Sequence, residues 1–212
     1  WKTYRSYLGL PGDPVTFCDH YSLSDTPRGT PRLPEPGIAP LPPPTWTGLP
    51  TQNSDFGRYE DRISDLTPKS QILADEINPF PVKYVTRSTG MFFNFGEYGH
   101  LLMSEFFAAG GKIEIREFHS PSEMSQLKEK VVINCPGYAA RDLWKDPSMV
   151  PVRGQVGWLI PQPEVKYGLS YRGVQTLSKT DGIMVIALEY GDMKGYNDSN
   201  ESVRRSESER AV

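Results

Sequence analysis

Few side chains in this sequence could do chemistry alone. The histidines, His20, His100 and His119, are scattered, and each reads as a surface or packing residue. Cys18 and Cys135 lie far apart, with no second Cys or His at ligand spacing. That argues against a zinc site and a disulfide framework, while one bridge between them stays open. Asp13, Asp19 and Asp25 fit no metal loop and read as solvated turn residues, so no metal is expected. The stretch with the clearest chemical potential is VVINCPGYAARDLW, Val131 to Trp144. Branched apolar residues run into Asn134, Cys135, Pro136 and Gly137, and a helix start follows. A strand that breaks at such a turn can bring backbone close to a ligand, because glycine has no Cβ to hold the ligand off. It can equally turn a corner.

Other signatures are missing. The chain has no GxGxxG or GxxxxGKS phosphate loop, no GxSxG elbow and no HExxH. A net charge of −3 gives no electrostatic reason to expect nucleic acid or a membrane surface. No apolar run approaches the roughly 18 residues of a spanning helix, no signal peptide is visible, and the compartment is left open. The sequence opens at Trp1 and closes in a polar helix without a capping glycine, so it is read as a segment of a larger protein.

The elements that must position these residues are regular only in part. VTFCDHYSLSD (Val15 to Asp25) has strand composition. The Pro-rich stretch 26–50 reads as an ordered excursion pinned by Leu33, Ile38, Leu41 and Trp46, or as a polyproline II partner motif. A strand follows over Lys83 to Phe95, broken at Thr89-Gly90, then a helix over Gly96 to Gly111 with apolar residues at three-and-four spacing. KIEIREF (Lys112 to Phe118) alternates as a strand, and Ser120-Pro121-Ser122-Glu123 is a helix-start signal. With VVIN these make a βα unit and a partly parallel sheet. PVRGQVGWLIP, YGLSYRGVQTLSK and GIMVIALEYG then read as antiparallel strands, the last two joined by a hairpin turn at Asp181-Gly182. The fold class is α+β.

The order of these pieces carries a resemblance. A strand ending Asn-Cys-Pro-Gly, a helix with Ala-Ala and Leu, an Asp-Pro, and then Pro-x-Arg-Gly-Gln resembles the D-amino-acid oxidase family of FAD-dependent oxidoreductases. The likeness extends back to GEYGHLLMSEFFAAGGKIEIREFHSPSEM and forward to YRGVQTLSKTDGIMVIAL, about Phe92 to Glu189.

The resemblance implies an antiparallel or mixed substrate-domain sheet plus part of an FAD-binding α/β domain whose glycine-rich phosphate loop lies outside the chain. Residues 1–95 would belong to the substrate domain, 96–150 to the FAD-binding domain, and 151–212 to the substrate-domain sheet and the start of a helix. Phe118, Cys135, Pro136 and Gly137 would lie against FAD. Leu169, Tyr171 and Trp158 would wall the substrate, an amine or amino acid; no catalytic side chain is assigned. Leu169 stands where the family has a substrate-holding tyrosine, and Arg172 replaces a proline. On a continuous strand Arg172 should point away from the face shared by Leu169 and Tyr171. Arg153 would tie the two domains through a carboxylate. The implied partner, besides substrate, is the rest of the same protein, with no nucleic acid and no membrane. From the residues alone, a rival is a non-enzymatic binding module whose Pro-rich arm recruits an aromatic groove.

Overall fold

The computed structural model describes residues 2–27, 30, 68–187 and 195–211. Almost all of the Pro-rich stretch, with its proposed anchors, therefore lies outside the described residues.

A seven-stranded mixed sheet organises the chain in the order β2-β3-β1-β5-β6-β7-β4. The strands are β1 (Val15–Ser24), β2 (Gln71–Ile72), β3 (Tyr84–Phe93), β4 (Gly157–Leu159), β5 (Tyr167–Tyr171), β6 (Val174–Lys179) and β7 (Gly182–Ala187). β1 and β3 pair antiparallel along their whole length, from Val15 opposite Phe93 to Ser24 opposite Tyr84, with no break at Thr89-Gly90. β5, β6, β7 and β4 form a second antiparallel block. The blocks meet at one parallel seam of four residue pairs, Asp19 with Tyr167 through Ser22 with Ser170. Asp19 is thus a strand residue and not part of a turn.

The segment YGLSYRGVQTLSK is not one strand. Arg172 and Gly173, with φ of 45° and 81°, turn it into a hairpin, as the primed turns that match strand twist require. In the next hairpin Lys179 pairs with Gly182, so Thr180 and Asp181 make the turn and Gly182 opens β7. Gly182 is needed for packing, because a Cβ there would run into the Trp158 indole and the Leu159 carbonyl.

The expected βα unit is present only as helices. α1 (Phe95–Ala108), α2 (Pro121–Met124) and α3 (Ala140–Leu143) form, and α4 (Arg205–Ala211) packs against β7. Ser120 donates to Glu123 Oε1 at 3.1 Å and the His119 N–H donates to Glu123 Oε2 at 3.3 Å, but the Ser120 side chain makes no hydrogen bond to the helix backbone, so the helix starts as expected without a closed capping box. KIEIREF and VVIN form no strands. A strand exists only where its amides meet a neighbouring ladder, and no described strand lies beside either segment. Their apolar side chains stand in solvent, Ile115 at 99% and Ile133 at 84% exposure. Among the described residues parallel pairing lies elsewhere, at the seam and at an isolated Leu8–Val15 bridge.

The buried residues mark the sheet as the core: Val15, Val85 and Val185 on one face, Cys18 and Leu177 on the other. An N-terminal aromatic group covers one end of the first face, with Tyr4 edge-on to Phe93 at 4.9 Å and Tyr98 of α1 at 5.2 Å from Phe93. Asn94, buried at the β3–α1 junction, donates through its side-chain amide to the Asp13 carbonyl and through its backbone to the Pro14 carbonyl at 3.0 Å.

Candidate functional site

Strand register sorts the candidate residues. Partners across a ladder share a face, and alternate residues along a strand switch faces. One face therefore carries Arg87, Tyr21, Leu169, Thr176 and Val185 in one row and Thr89, Asp19, Tyr167, Ser178 and Ile183 in the next. The opposite face carries Cys18, His20, Gly168, Ser170, Leu177, Met184 and Trp158.

This placement separates the expected substrate wall. Leu169 and Tyr171 share the first face on β5. Trp158 lies on the other face of the edge strand β4, three strands away, with its indole N–H donating to the Asp181 carbonyl at 3.1 Å. The three residues do not form one wall.

Tyr171 and Arg172 do meet, contrary to the alternation expected of a continuous strand. The hairpin turn swings Arg172 back, and the Tyr171 hydroxyl and Arg172 Nε each donate at 3.0 Å to the two oxygens of Asp25. The guanidinium also lies 5.0 Å from the Tyr171 ring centre. Hydrogen bonds from Arg172 and then Tyr171 hold the Asp25 carboxyl below its usual range, and the bond to Asp25 pushes the Tyr171 phenol up. The cluster ties the end of β1 to the β5–β6 turn.

On the first face, Asp19 accepts from the Thr89 hydroxyl at 2.6 Å and faces Arg87 Nε at 3.4 Å. Beside it Tyr21 packs against Phe80 in a tilted pair at 5.1 Å and against Tyr167 edge to face at 5.6 Å. Sequence reading missed Asp19, Arg87, Tyr21 and Tyr167 as a group, because only the β3-β1-β5 order brings them together. The period-2 pattern of each strand was the available signal.

On the second face, His20 Nε2 lies 2.7 Å from Ser170 Oγ across the seam, and burial lowers the His20 pKa below its usual 6.5. Burial likewise pushes the Cys18 thiol up, and its Sγ contacts the Lys166 carbonyl at 3.5 Å. Cys18 is buried and Cys135 exposed, both free, so no bridge joins them. Lys179 donates to the Phe93 carbonyl at 2.7 Å with its ammonium 4.5 Å from the Phe95 ring centre, latching the second block to the β3–α1 junction.

The Asn-Cys-Pro-Gly turn is open. Gly137 has φ of 59°, and apart from its own chain neighbours and the backbone of its own helical turn nothing lies within 4 Å of where its Cβ would be. Cys135 is exposed and Pro136 half-buried beside it. Phe118 is half-buried under the Arg116 guanidinium, 5.1 Å from its ring centre. Arg153 donates at 2.9 Å to Gln155 and to the Ser202 carbonyl, while Gln155 donates at 2.7 Å to the Arg204 carbonyl, so the Arg-Gly-Gln motif clasps the segment before α4. Among the described residues no group of His, Cys, Asp and Glu is placed to hold a metal ion, and no helix is long and apolar enough to cross a membrane.

Comparison with known proteins points to one family name. The chain is 44% identical over 55 residues to a D-amino-acid oxidase of Rubrobacter xylanophilus, covering 26% of this chain and 17% of that protein. It is 28% identical over 127 residues to a D-amino acid oxidase of Dugesia ryukyuensis, covering 58% and 38%. A D-amino-acid oxidase of Streptomyces coelicolor is 40% identical over 55 residues, covering 26% and 16%. No protein-family model matches. The chain spans at most 38% of the length of these relatives. It is similar to D-amino-acid oxidases over part of its own length and a smaller part of theirs.

Proposed function

We propose that the chain is part of an FAD-dependent oxidoreductase that oxidises the C–N bond of an amino acid or amine. The sequence relationship to proteins named D-amino-acid oxidase carries this reading. FAD would accept the hydride lost from the substrate carbon. The chain's own residues would shape the surroundings of that step. Gly137, held at positive φ with open space in place of a side chain, suits a turn that a cofactor approaches closely, with Cys135 and Pro136 flanking it. Phe118 would lie on the same cofactor side. Leu169 and Tyr171 would wall the substrate from the sheet face they share, excluding water from the reacting carbon.

The partner for residues 96–150 would be polypeptide outside this chain. The alternating apolar side chains of KIEIREF and the exposed Val131 and Ile133 are what a strand ladder would cover. The test is the flavin content of the complete protein and its turnover on an amine and amino-acid panel. Stoichiometric flavin and oxidation of at least one amine are expected. Colourless, inactive protein would sink the reading and favour a binding module instead. The present chain alone should not hold FAD tightly, since it lacks a phosphate-binding glycine loop to anchor the pyrophosphate.

A further inference from the structure

We propose that Asn200 is an N-glycosylation acceptor, modified by an oligosaccharyltransferase. The sequence holds two Asn-x-Ser triplets, Asn197-Asp198-Ser199 and Asn200-Glu201-Ser202, and both fall in the loop that leads into α4. The second triplet also has an acid two residues before its asparagine, Asp198. It therefore meets the stricter acceptor signal Asp/Glu-x-Asn-x-Ser as well.

The loop presents Asn200 in a form suited to transfer. Asn200, Glu201 and Ser202 are all exposed, between the isolated Val152–Tyr196 bridge and the start of α4 at Arg205. Asn200 Oδ1 accepts from the Ser202 N–H at 2.8 Å, and the Asn200 N–H donates to Asp198 Oδ1 at 2.9 Å. The first contact is an Asx turn, which folds the triplet back and brings the serine beside the amide. It occupies the amide oxygen and leaves Nδ2, the atom that would carry the sugar, with no hydrogen-bond partner among the described residues. Asn197 is placed differently. It sits at φ of 56° with its N–H bonded to the Pro151 carbonyl at 2.8 Å, and among the described residues no turn from Ser199 closes on its side chain.

The loop is fixed without the Asn200 nitrogen. Arg153 donates to the Ser202 carbonyl at 2.9 Å, and Arg204 donates to Asp198 Oδ2 at 2.7 Å. A sugar added at Nδ2 breaks none of these bonds. In the transfer, Nδ2 attacks the anomeric carbon of a sugar carried on a lipid pyrophosphate. A C–N bond forms and the C–O bond to pyrophosphate breaks. The lipid pyrophosphate leaves with the electron pair, and the amide proton passes to a base of the transferase. The attached glycan is a bulky, solubilising surface group. It implies passage through the compartment where the transferase works, and it is independent of the oxidase reading.

The experiment is peptide mapping of the complete protein purified from its own cells. Trypsin releases residues 195–204, which carry both triplets, and fragmentation that spares the sugar locates it. A saccharide mass on Asn200 is expected. Asn200→Gln and Ser202→Ala should each abolish it, and Asn197→Gln should leave it in place. Ser202→Ala removes only the hydroxyl and keeps both backbone bonds of the turn, so its effect is not a folding defect. Loss of the sugar in Asp198→Asn assigns a transferase that reads the acid, and retention one that reads Asn-x-Ser alone; either supports the site. An unmodified peptide, a sugar on Asn197 alone, or a sugar that survives Ser202→Ala overturns the proposal.

Discussion

His20 Nε2 and Ser170 Oγ lie 2.7 Å apart across the parallel β1–β5 seam, the only ladder that joins the two antiparallel blocks among the described residues. Burial lowers the folded His20 pKa below 6.5. The unfolded chain therefore takes up the proton first, and the stability from neutral His20 is fully present above pH 6.5 and lost as pH falls through the folded value. Urea midpoints measured between pH 8 and pH 5 should fall towards acid on this account, with His20→Asn flattening the acid limb. An unchanged limb in that variant would assign the loss to other groups.

Gly168 lies under the same imidazole. An added Cβ would stand 2.5 Å from His20 Nδ1 and 2.9 Å from the Thr176 carbonyl. Gly168→Ala should destabilise by roughly 1–3 kcal/mol through overpacking at the seam. Denaturant unfolding measures this, and a variant as stable as the parent would mean that the seam can open at low cost.

Asp25 receives both Tyr171 and Arg172. Tyr171→Phe and Arg172→Ala should therefore be non-additive, each losing most of its effect on the unfolding midpoint in an Asp25→Asn background. In the complete protein, a Tyr171→Phe variant with raised KM and unchanged stability would show that the hydroxyl leaves Asp25 for substrate. Unchanged KM would make the tyrosine a fastener of the turn.

Gly137 distinguishes a cofactor turn from a corner. Valine at φ of 59° is strained by about 1–2 kcal/mol whatever lies nearby, whereas asparagine tolerates that conformation. Flavin retention in the complete protein should drop for both Gly137→Val and Gly137→Asn if the cofactor approaches the glycine. Retention by Gly137→Asn alone would show that only the backbone angle mattered.

Local chemistry in the sequence determined much of this molecule. The alternation of Val15 to Ser24, the Ser-Pro-Ser-Glu start of α2 and the glycine at position 137 act over a few residues, where steric preference and capping decide. The seven-strand order, the parallel seam and the grouping of Arg87, Asp19, Tyr21 and Leu169 were decided only by tertiary pairing, which joins segments far apart in sequence. KIEIREF and VVIN show the limit from the other side. Each has the composition of a strand, yet neither forms one, because a strand is completed by the backbone hydrogen bonds of a neighbour and no described segment supplies them. Arg172 shows it at one residue: a hairpin turn, not the strand periodicity of its neighbours, aims its side chain at Asp25.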